Sequence, residues 1–196
     1  MAEAQILVCV CGGIAAYKSA DLVRRLRERG ASVRVAMTDG ATQFVGPATF
    51  QAVSGQPVRH SLWDESAEAA MSHIELARWA DAVIVAPATA NTLAKLTYGM
   101  ADDLVTTLCL ATKAPIFVAP AMNHVMYTAA ATQANLATLR LRGVTVIGPN
   151  NGPQACGEFG PGRMAEPNEI VDAVSAATGF EGKIHRPYDK DDQGVA

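Results

Sequence analysis

The run Ile6-Leu7-Val8-Cys9-Val10, followed by Cys11-Gly12-Gly13-Ile14-Ala15-Ala16, decides the fold. Five consecutive β-prone apolar residues read as a strand buried on both faces, because a strand with one wet face would alternate. Two glycines follow. Over residues 15–29, Ala16, Ala20, Val23 and Leu26 recur at helical spacing, and Gly30 stands where a left-handed residue ends a helix. Strand, glycine turn and helix form the opening unit of an α/β fold, since a parallel neighbour can only be reached by a crossover.

Outward from this unit the pattern repeats. Val33-Arg34-Val35-Ala36-Met37 reads as a second strand, and a helical or irregular stretch runs to residue 53 before the turn Ser54-Gly55-Gln56-Pro57. Ala82-Val83-Ile84-Val85-Ala86 is a third strand, ended by Pro87, and residues 92–98 and 103–112 read as helices. Pro115-Ile116-Phe117-Val118-Ala119 is a fourth strand, closed by Pro120. Residues 128–142 read as one helix and Val144-Thr145-Val146-Ile147 as a fifth strand. Residues 150–165, rich in Gly and Pro, read as a long loop. A last helix spans 167–177, with Pro167 in its first turn. Apolar strands alternating with helices predict a parallel sheet covered on both sides.

The chain has 196 residues, 49% of them hydrophobic, which is enough for one domain with a sizeable core. That domain spans residues 1–178, and residues 179–196 read as a polar tail or linker. The net charge of −3 argues against a nucleic-acid binder working by phosphate neutralisation. The most apolar stretch, residues 6–17, is too short to span a membrane and is broken by Gly12-Gly13. The start Met1-Ala2-Glu3 is acidic rather than basic, against an export signal. The cysteines Cys9, Cys11, Cys109 and Cys156 form no CxxC pair, against zinc binding and thioredoxin-type chemistry. A cytoplasmic protein with free thiols and no metal is expected.

In doubly covered parallel sheets, ligands bind beyond the carboxyl ends of the strands. The residues there are Gly12-Gly13, Thr38-Asp39-Gly40, Pro87-Ala88-Thr89-Ala90-Asn91-Thr92 and Pro120-Ala121-Met122-Asn123. All but Met122 are small, polar or proline, as a surface shaped around a flat, phosphorylated ligand needs. Gly12-Gly13 leads into a helix N-terminus that can receive an anion, yet it is neither GxGxxG nor a P-loop. Thr38 alone reads as a cap or turn. Asp39 could hold a ribose, which leaves a nicotinamide reading open. Thr89, Asn91 and Thr92 are more polar groups than one cap requires. His73 can accept a proton near neutral pH, although a lone histidine is more often structural. Asn123 can offer its amide to a carboxylate, while Met122 and Met126 suit core packing. Cys156 lies in the long loop, where it could be an acid, a nucleophile or a free thiol.

Taken together, five blocks resemble the homo-oligomeric flavin-containing cysteine decarboxylases. They are GGIAAYK (12–18), SHIELARWAD (72–81), APATANT (86–92), PAMNHVMY (120–127) and ACGEFGPGRM (155–164). The resemblance implies a Rossmann-like, flavodoxin-like doubly wound sheet that binds FMN and assembles as trimers or dodecamers. It places FMN against Gly12, Gly13, Ile14, Thr38, Asp39, Thr89, Ala90, Asn91, Thr92, Ala121 and Met122. Cys11 stands where relatives more often carry a hydroxyl residue. By the same resemblance His73 assists thiol oxidation, Asn123 binds the substrate carboxylate and Cys156 donates the final proton. Ala155, Gly157, Arg163 and Met164 belong to the same substrate-binding block. The implied reaction oxidises a cysteine thiol to a thioaldehyde, releases carbon dioxide to give an enethiolate, and then reduces it. The complete ACGEFGPGRM block favours phosphopantothenoylcysteine, a coenzyme A precursor, as substrate. A peptide ending in cysteine is the alternative, and a non-catalytic regulatory subunit or a flavin prenyltransferase fits less well. In many bacteria a ligase domain follows such a decarboxylase; no ligase activity is expected of these residues.

Overall fold

Side chains along a strand point alternately to opposite faces. The strand residues of this chain therefore feed two separate cores. Ile6, Val8 and Val10 join one core, with Val33, Val35, Ile84 and Phe117. Leu7, Cys9 and Cys11 join the other, with Val83, Val85 and Val118. The computed structural model describes residues 3–64 and 72–180. Its elements in chain order are β1 (Gln5–Val10), α1 (Ala16–Glu28), β2 (Ser32–Met37), α2 (Asp39–Thr42), α3 (Pro47–Ser54), α4 (His73–Trp79) and β3 (Ala82–Ala88). Then come α5 (Ala90–Tyr98), α6 (Leu104–Ala111), β4 (Ile116–Pro120), α7 (His124–Thr128), α8 (Ala130–Leu141) and β5 (Thr145–Val146). The hairpin β6 (Asn150–Pro153) and β7 (Phe159–Arg163) precedes α9 (Pro167–Thr178).

The five main strands are parallel and lie in the order β2-β1-β3-β4-β5. This is the expected doubly wound, flavodoxin-like sheet. The chain passes from β1 outward to β2, then returns across β1 to β3. The direction of winding reverses between β1 and β3, and a crevice opens at their carboxyl ends. Leu22, Val23 and Leu26 of α1, Phe50 of α3, and Ile170, Val171 and Val174 of α9 cover one face. Leu76 of α4, Leu93 of α5, Leu108 of α6 and Leu136 of α8 cover the other.

Several boundaries differ from the sequence reading. Residues 150–165 are not a loop: β6 and β7 pair antiparallel as a separate two-stranded sheet. Their sequences, NNGP and FGPGR, hold few β-formers, so no strand signal was present. The helix expected over residues 128–142 breaks at Ala129, whose extended backbone (ψ 137°) ends α7 and starts α8. The side chain of Gln133 donates to the Tyr127 carbonyl at 2.5 Å beside that break. Pro87 and Pro120 lie inside strands rather than after them, and the β3–β4 register shifts between Val85 and Ala88, across Pro87. Asp103 and Thr89 stand as N-caps outside the helices that they were read near or within. Gly179 ends α9 and Phe180 still packs on the core. The remainder of the expected tail, from residue 181, lies outside the described residues.

Candidate active site

A cleft of ≈ 570 Å³ lies at the carboxyl ends of β1, β3 and β4. That falls within the roughly 300–1,000 Å³ typical of small-molecule sites. One wall is backbone, from Gly12, Gly13, Ile14 and Ala15. Gly12 is dictated by close approach: a Cβ there would stand 2.7 Å from the Gly40 carbonyl carbon in α2. At Gly13 the space is open, with nothing within 4 Å of an added Cβ. The N-cap of α1 is Ala15, which supplies no side-chain acceptor; in the first turn Ala16 N donates to the Gly13 carbonyl at 2.9 Å and Lys18 N to the Ala15 carbonyl at 3.0 Å. Ile14, 63% exposed, and Tyr17, 61% exposed, place large apolar groups beside that helix end.

Thr89 and Ala90 line the cleft from the start of α5. The Thr89 hydroxyl accepts from the Thr92 N–H at 3.1 Å and lies 3.0 Å from the Thr92 hydroxyl. Capping therefore accounts for both threonines. Thr92 is buried, Asn91 is exposed, and neither lines the cleft. Thr38 caps α2 by accepting from Ala41 N at 3.2 Å, and Asp39 is exposed in the first turn. Neither lines the cleft, which their turn approaches through Gly40 against Gly12. Cys11 is buried in the second core and likewise lies outside the lining.

The third wall joins the β4–α7 turn to the hairpin. Ala121, Met122, Asn123 and Met126 face Pro153, Gln154, Ala155, Cys156, Gly162, Arg163 and Met164. Asn123 is the N-cap of α7, with its Oδ1 accepting from Val125 N at 2.8 Å. This fixes the amide orientation and turns Nδ2 toward the hairpin. Nδ2 donates to Glu158 Oε2 at 2.6 Å and to Gln154 Oε1 at 3.4 Å, with Cys156 Sγ at 3.5 Å. Gln154 is the clasp of this wall. Its Oε1 accepts from His124 N at 3.0 Å and its Nε2 donates to the Pro161 carbonyl at 3.1 Å. Gly162 makes the close contact possible: its φ is +133° and a Cβ would stand 2.2 Å from the Met122 carbonyl oxygen. Gly157 lies at the exposed hairpin tip, outside the lining.

The four thiols are free. Burial pushes Cys11 up to about 12. A hydrogen bond with Cys109, then burial, raises Cys9 well above the usual thiol range. Cys156 alone is exposed, and its thiol donates to Glu158 Oε2 at 3.2 Å. The Cys156 and Asn123 donors hold the Glu158 carboxyl below its ordinary value. At another edge of the cleft, Glu166 Oε1 pairs with Lys18 Nζ at 2.6 Å and with Arg163 Nη2 at 3.5 Å.

His73 is set apart. It is the first residue of α4, inside the Ser72–Glu75 capping box, and does not line the cleft of its own chain. Among the described residues, no group of three or more His, Cys, Asp or Glu side chains could hold a metal ion. No described helix is long and apolar enough to cross a membrane. Gln154, Glu158 and Lys18 were not singled out from sequence. Lys18 and Glu158 stand inside quoted blocks. The role of Gln154 depends on a hairpin pairing that its sequence does not signal.

A family model described as Flavoprotein matches residues 1–179. The chain is 60% identical over 176 residues to the coenzyme A biosynthesis bifunctional protein CoaBC of Escherichia coli (strain K12), covering 90% of this chain and 43% of that protein. It thus spans less than half the length of that curated relative. Among solved structures, a PPC decarboxylase mutant complexed with pantothenoylaminoethenethiol superposes with a TM-score of 0.80 at 33% identity, covering 90% of this chain and 98% of that one. The FMN binding protein AtHal3 superposes with a TM-score of 0.79 at 32% identity, covering 93% and 100%.

Proposed function

Because the chain belongs to the flavoprotein family, we propose that its cleft holds FMN and decarboxylates phosphopantothenoylcysteine to phosphopantetheine in coenzyme A biosynthesis. The observation that carries this reading is the meeting of Asn123 and Cys156 over the cleft, 33 residues apart in sequence. The residues suit the cofactor. Open space beside Gly13 at the start of α1, with Lys18 in its first turn, suits a phosphate, and Ile14, Met122 and Met126 suit a flat ring. When bound, FMN supplies the reversible two-electron exchange that lets the substrate's side chain accept the electrons left by its carboxylate.

The chain's own groups then have distinct tasks. Asn123, its Oδ1 committed to Val125 N, presents Nδ2 to the substrate carboxylate. Cys156, exposed on the hairpin tip, delivers the last proton from Sγ. Lys18 and Arg163 place positive charge at one edge of the cleft, where a phosphorylated substrate gains most. His73, outside the cleft of its own chain, serves a neighbouring copy in a homo-oligomer. The test is purification followed by an absorbance spectrum and product mass. A yellow protein that removes one carbon dioxide from phosphopantothenoylcysteine supports the reading. A colourless protein that takes up no FMN overturns it. Turnover of a cysteine-ended peptide alone would make that peptide the substrate.

A further inference from the structure

One carboxylate oxygen ties the hairpin tip to α7. Glu158 Oε2 accepts from Asn123 Nδ2 at 2.6 Å and from Cys156 Sγ at 3.2 Å, and lies 3.4 Å from His124 Nδ1. The His124 Nδ1 atom is buried and has no other partner among the described residues. Asn123 Nδ2 has two hydrogens. One goes to Glu158 and the other to Gln154 Oε1 at 3.4 Å. Both donors of the proposed carboxylate-binding amide are therefore engaged before any substrate arrives.

The two occupants differ in how firmly they are held. Gln154 is fixed by the His124 N–H and the Pro161 carbonyl, and it is partly buried. The Glu158 side chain is 51% exposed on the tip. A second carboxylate at Asn123 Nδ2 would lie against Glu158 Oε2, and like charges repel at that range. The exposed side chain is the one that yields.

We propose that Glu158 is a positioning residue that occupies with its own carboxylate the Asn123 donor claimed by the substrate carboxylate, so that the hairpin is latched when the substrate is absent and latches again after carbon dioxide leaves. This rests on the decarboxylase reading for the identity of the incoming carboxylate. The charge accounting is simple. One carboxylate replaces another at Asn123 on binding. Carbon dioxide leaves neutral, its electron pair stays on the substrate, the amide is vacated, and Glu158 returns with Cys156 beside it. The thiol is thus brought back over the cleft at the stage when its proton is needed. No bond to Glu158 forms or breaks.

The experiment uses the FMN-loaded protein and two unreactive probes. Phosphopantothenoyl-alanine keeps the carboxylate and lacks the thiol; phosphopantothenoyl-ethylamine lacks both. Calorimetry gives the affinity of each for the native protein and for Glu158→Ala. The expected result is tighter binding of the alanine probe by about tenfold, for a latch closed roughly nine-tenths of the time. Binding of the ethylamine probe should be unchanged. A purely structural role would move both probes together, and that result, or no change in either, overturns the proposal. If neither probe binds the native protein, the substrate assignment is what has failed. Ligand-free alkylation of Cys156 by iodoacetamide then decides the latch. Faster alkylation in Glu158→Ala, slowed again in Glu158→Gln, which keeps an acceptor, supports it; equal rates in all three proteins overturn it.

Discussion

Two walls of the cleft, the β1–α1 wall and the hairpin wall, are built from different materials. The β1–α1 wall continues a five-stranded sheet in which Leu7, Val8, Cys9 and Val10 have no exposed surface. It presents glycine backbone and a helix start, with Ile14, Tyr17 and Lys18 beside them. The hairpin wall is a separate two-stranded sheet, docked through the Met122 N–H to the Gly162 carbonyl and through the Gln154 side chain. It presents side chains, Cys156 and Glu158, on an exposed turn. A tightly held cofactor needs the first kind of wall, since a site set in packed backbone cannot drift. A substrate that enters and leaves needs the second, because segments with few buried contacts open at low cost.

If this division of labour is right, the largest effects come from side chains that leave the cofactor wall untouched. Cys156→Ser and His73→Asn should each lower product formation by about 10²–10⁴-fold, the usual range for a lost proton-transfer group. Both should retain the flavin absorbance of the native protein. Mixing the two inactive proteins under conditions that reassort subunits should restore part of the activity, since each supplies what the other lacks. A mixture that stays inactive would remove His73 from any neighbouring cleft.

Gly162→Ala probes the docking of the hairpin. Its Cβ would stand 2.2 Å from the Met122 carbonyl, on a backbone with φ +133°. Displacing the hairpin by about 1 Å should reduce kcat by about 10²-fold, with flavin still bound. Gly12→Ala probes the other wall. A Cβ 2.7 Å from the Gly40 backbone forces two turns apart, at a cost of about 1–3 kcal/mol in folding stability. Its expected signature is a lowered melting temperature together with flavin release on dilution. The comparison fails if the signatures are exchanged.

The same division explains what was legible in the sequence. The β1–α1 wall is local: residues 6–16 carry the strand, the glycine turn and the helix start in one run, so periodicity and glycine placement suffice. The strands β1 to β4 were readable for that reason, and their order followed the doubly wound rule. The hairpin wall is non-local. Asn123 meets Cys156 only because NNGP pairs with FGPGR, and neither segment has the composition of a strand. Thr89 and Thr92 stand out as an excess of polar groups; their hydroxyls bond to each other at a cap, and Thr89 also lines the cleft. The placement of His73 depends on how α4 packs, which no spacing in SHIELARWAD reveals.

The smallest effect tests whether scaffold and site can be separated. Asp103 caps α6 and does not line the cleft; it accepts from Thr106 N at 2.8 Å and pairs with Lys95 Nζ at 2.9 Å. Partial burial opposes its charge, but the Thr106 N–H, Lys95 and the Thr106 hydroxyl outweigh burial and hold the carboxyl below its ordinary 3.8. A depressed carboxyl stabilises the fold in full above its unfolded value. That stability declines below 3.8 and is gone once the pH has fallen through the folded value. Asp103→Ala should therefore cost about 1 kcal/mol near neutral pH, seen as a fall in melting temperature of ~3 °C, with kcat unchanged. Asp103→Asn keeps the cap acceptor and loses the charge. Its deficit against the native protein should be present at pH 6 and shrink steadily as the pH is lowered past 3.8. A deficit that persists in acid would mean that the carboxylate contributes through packing rather than charge. A fall in kcat at neutral pH would mean that α6 and the cleft are coupled after all.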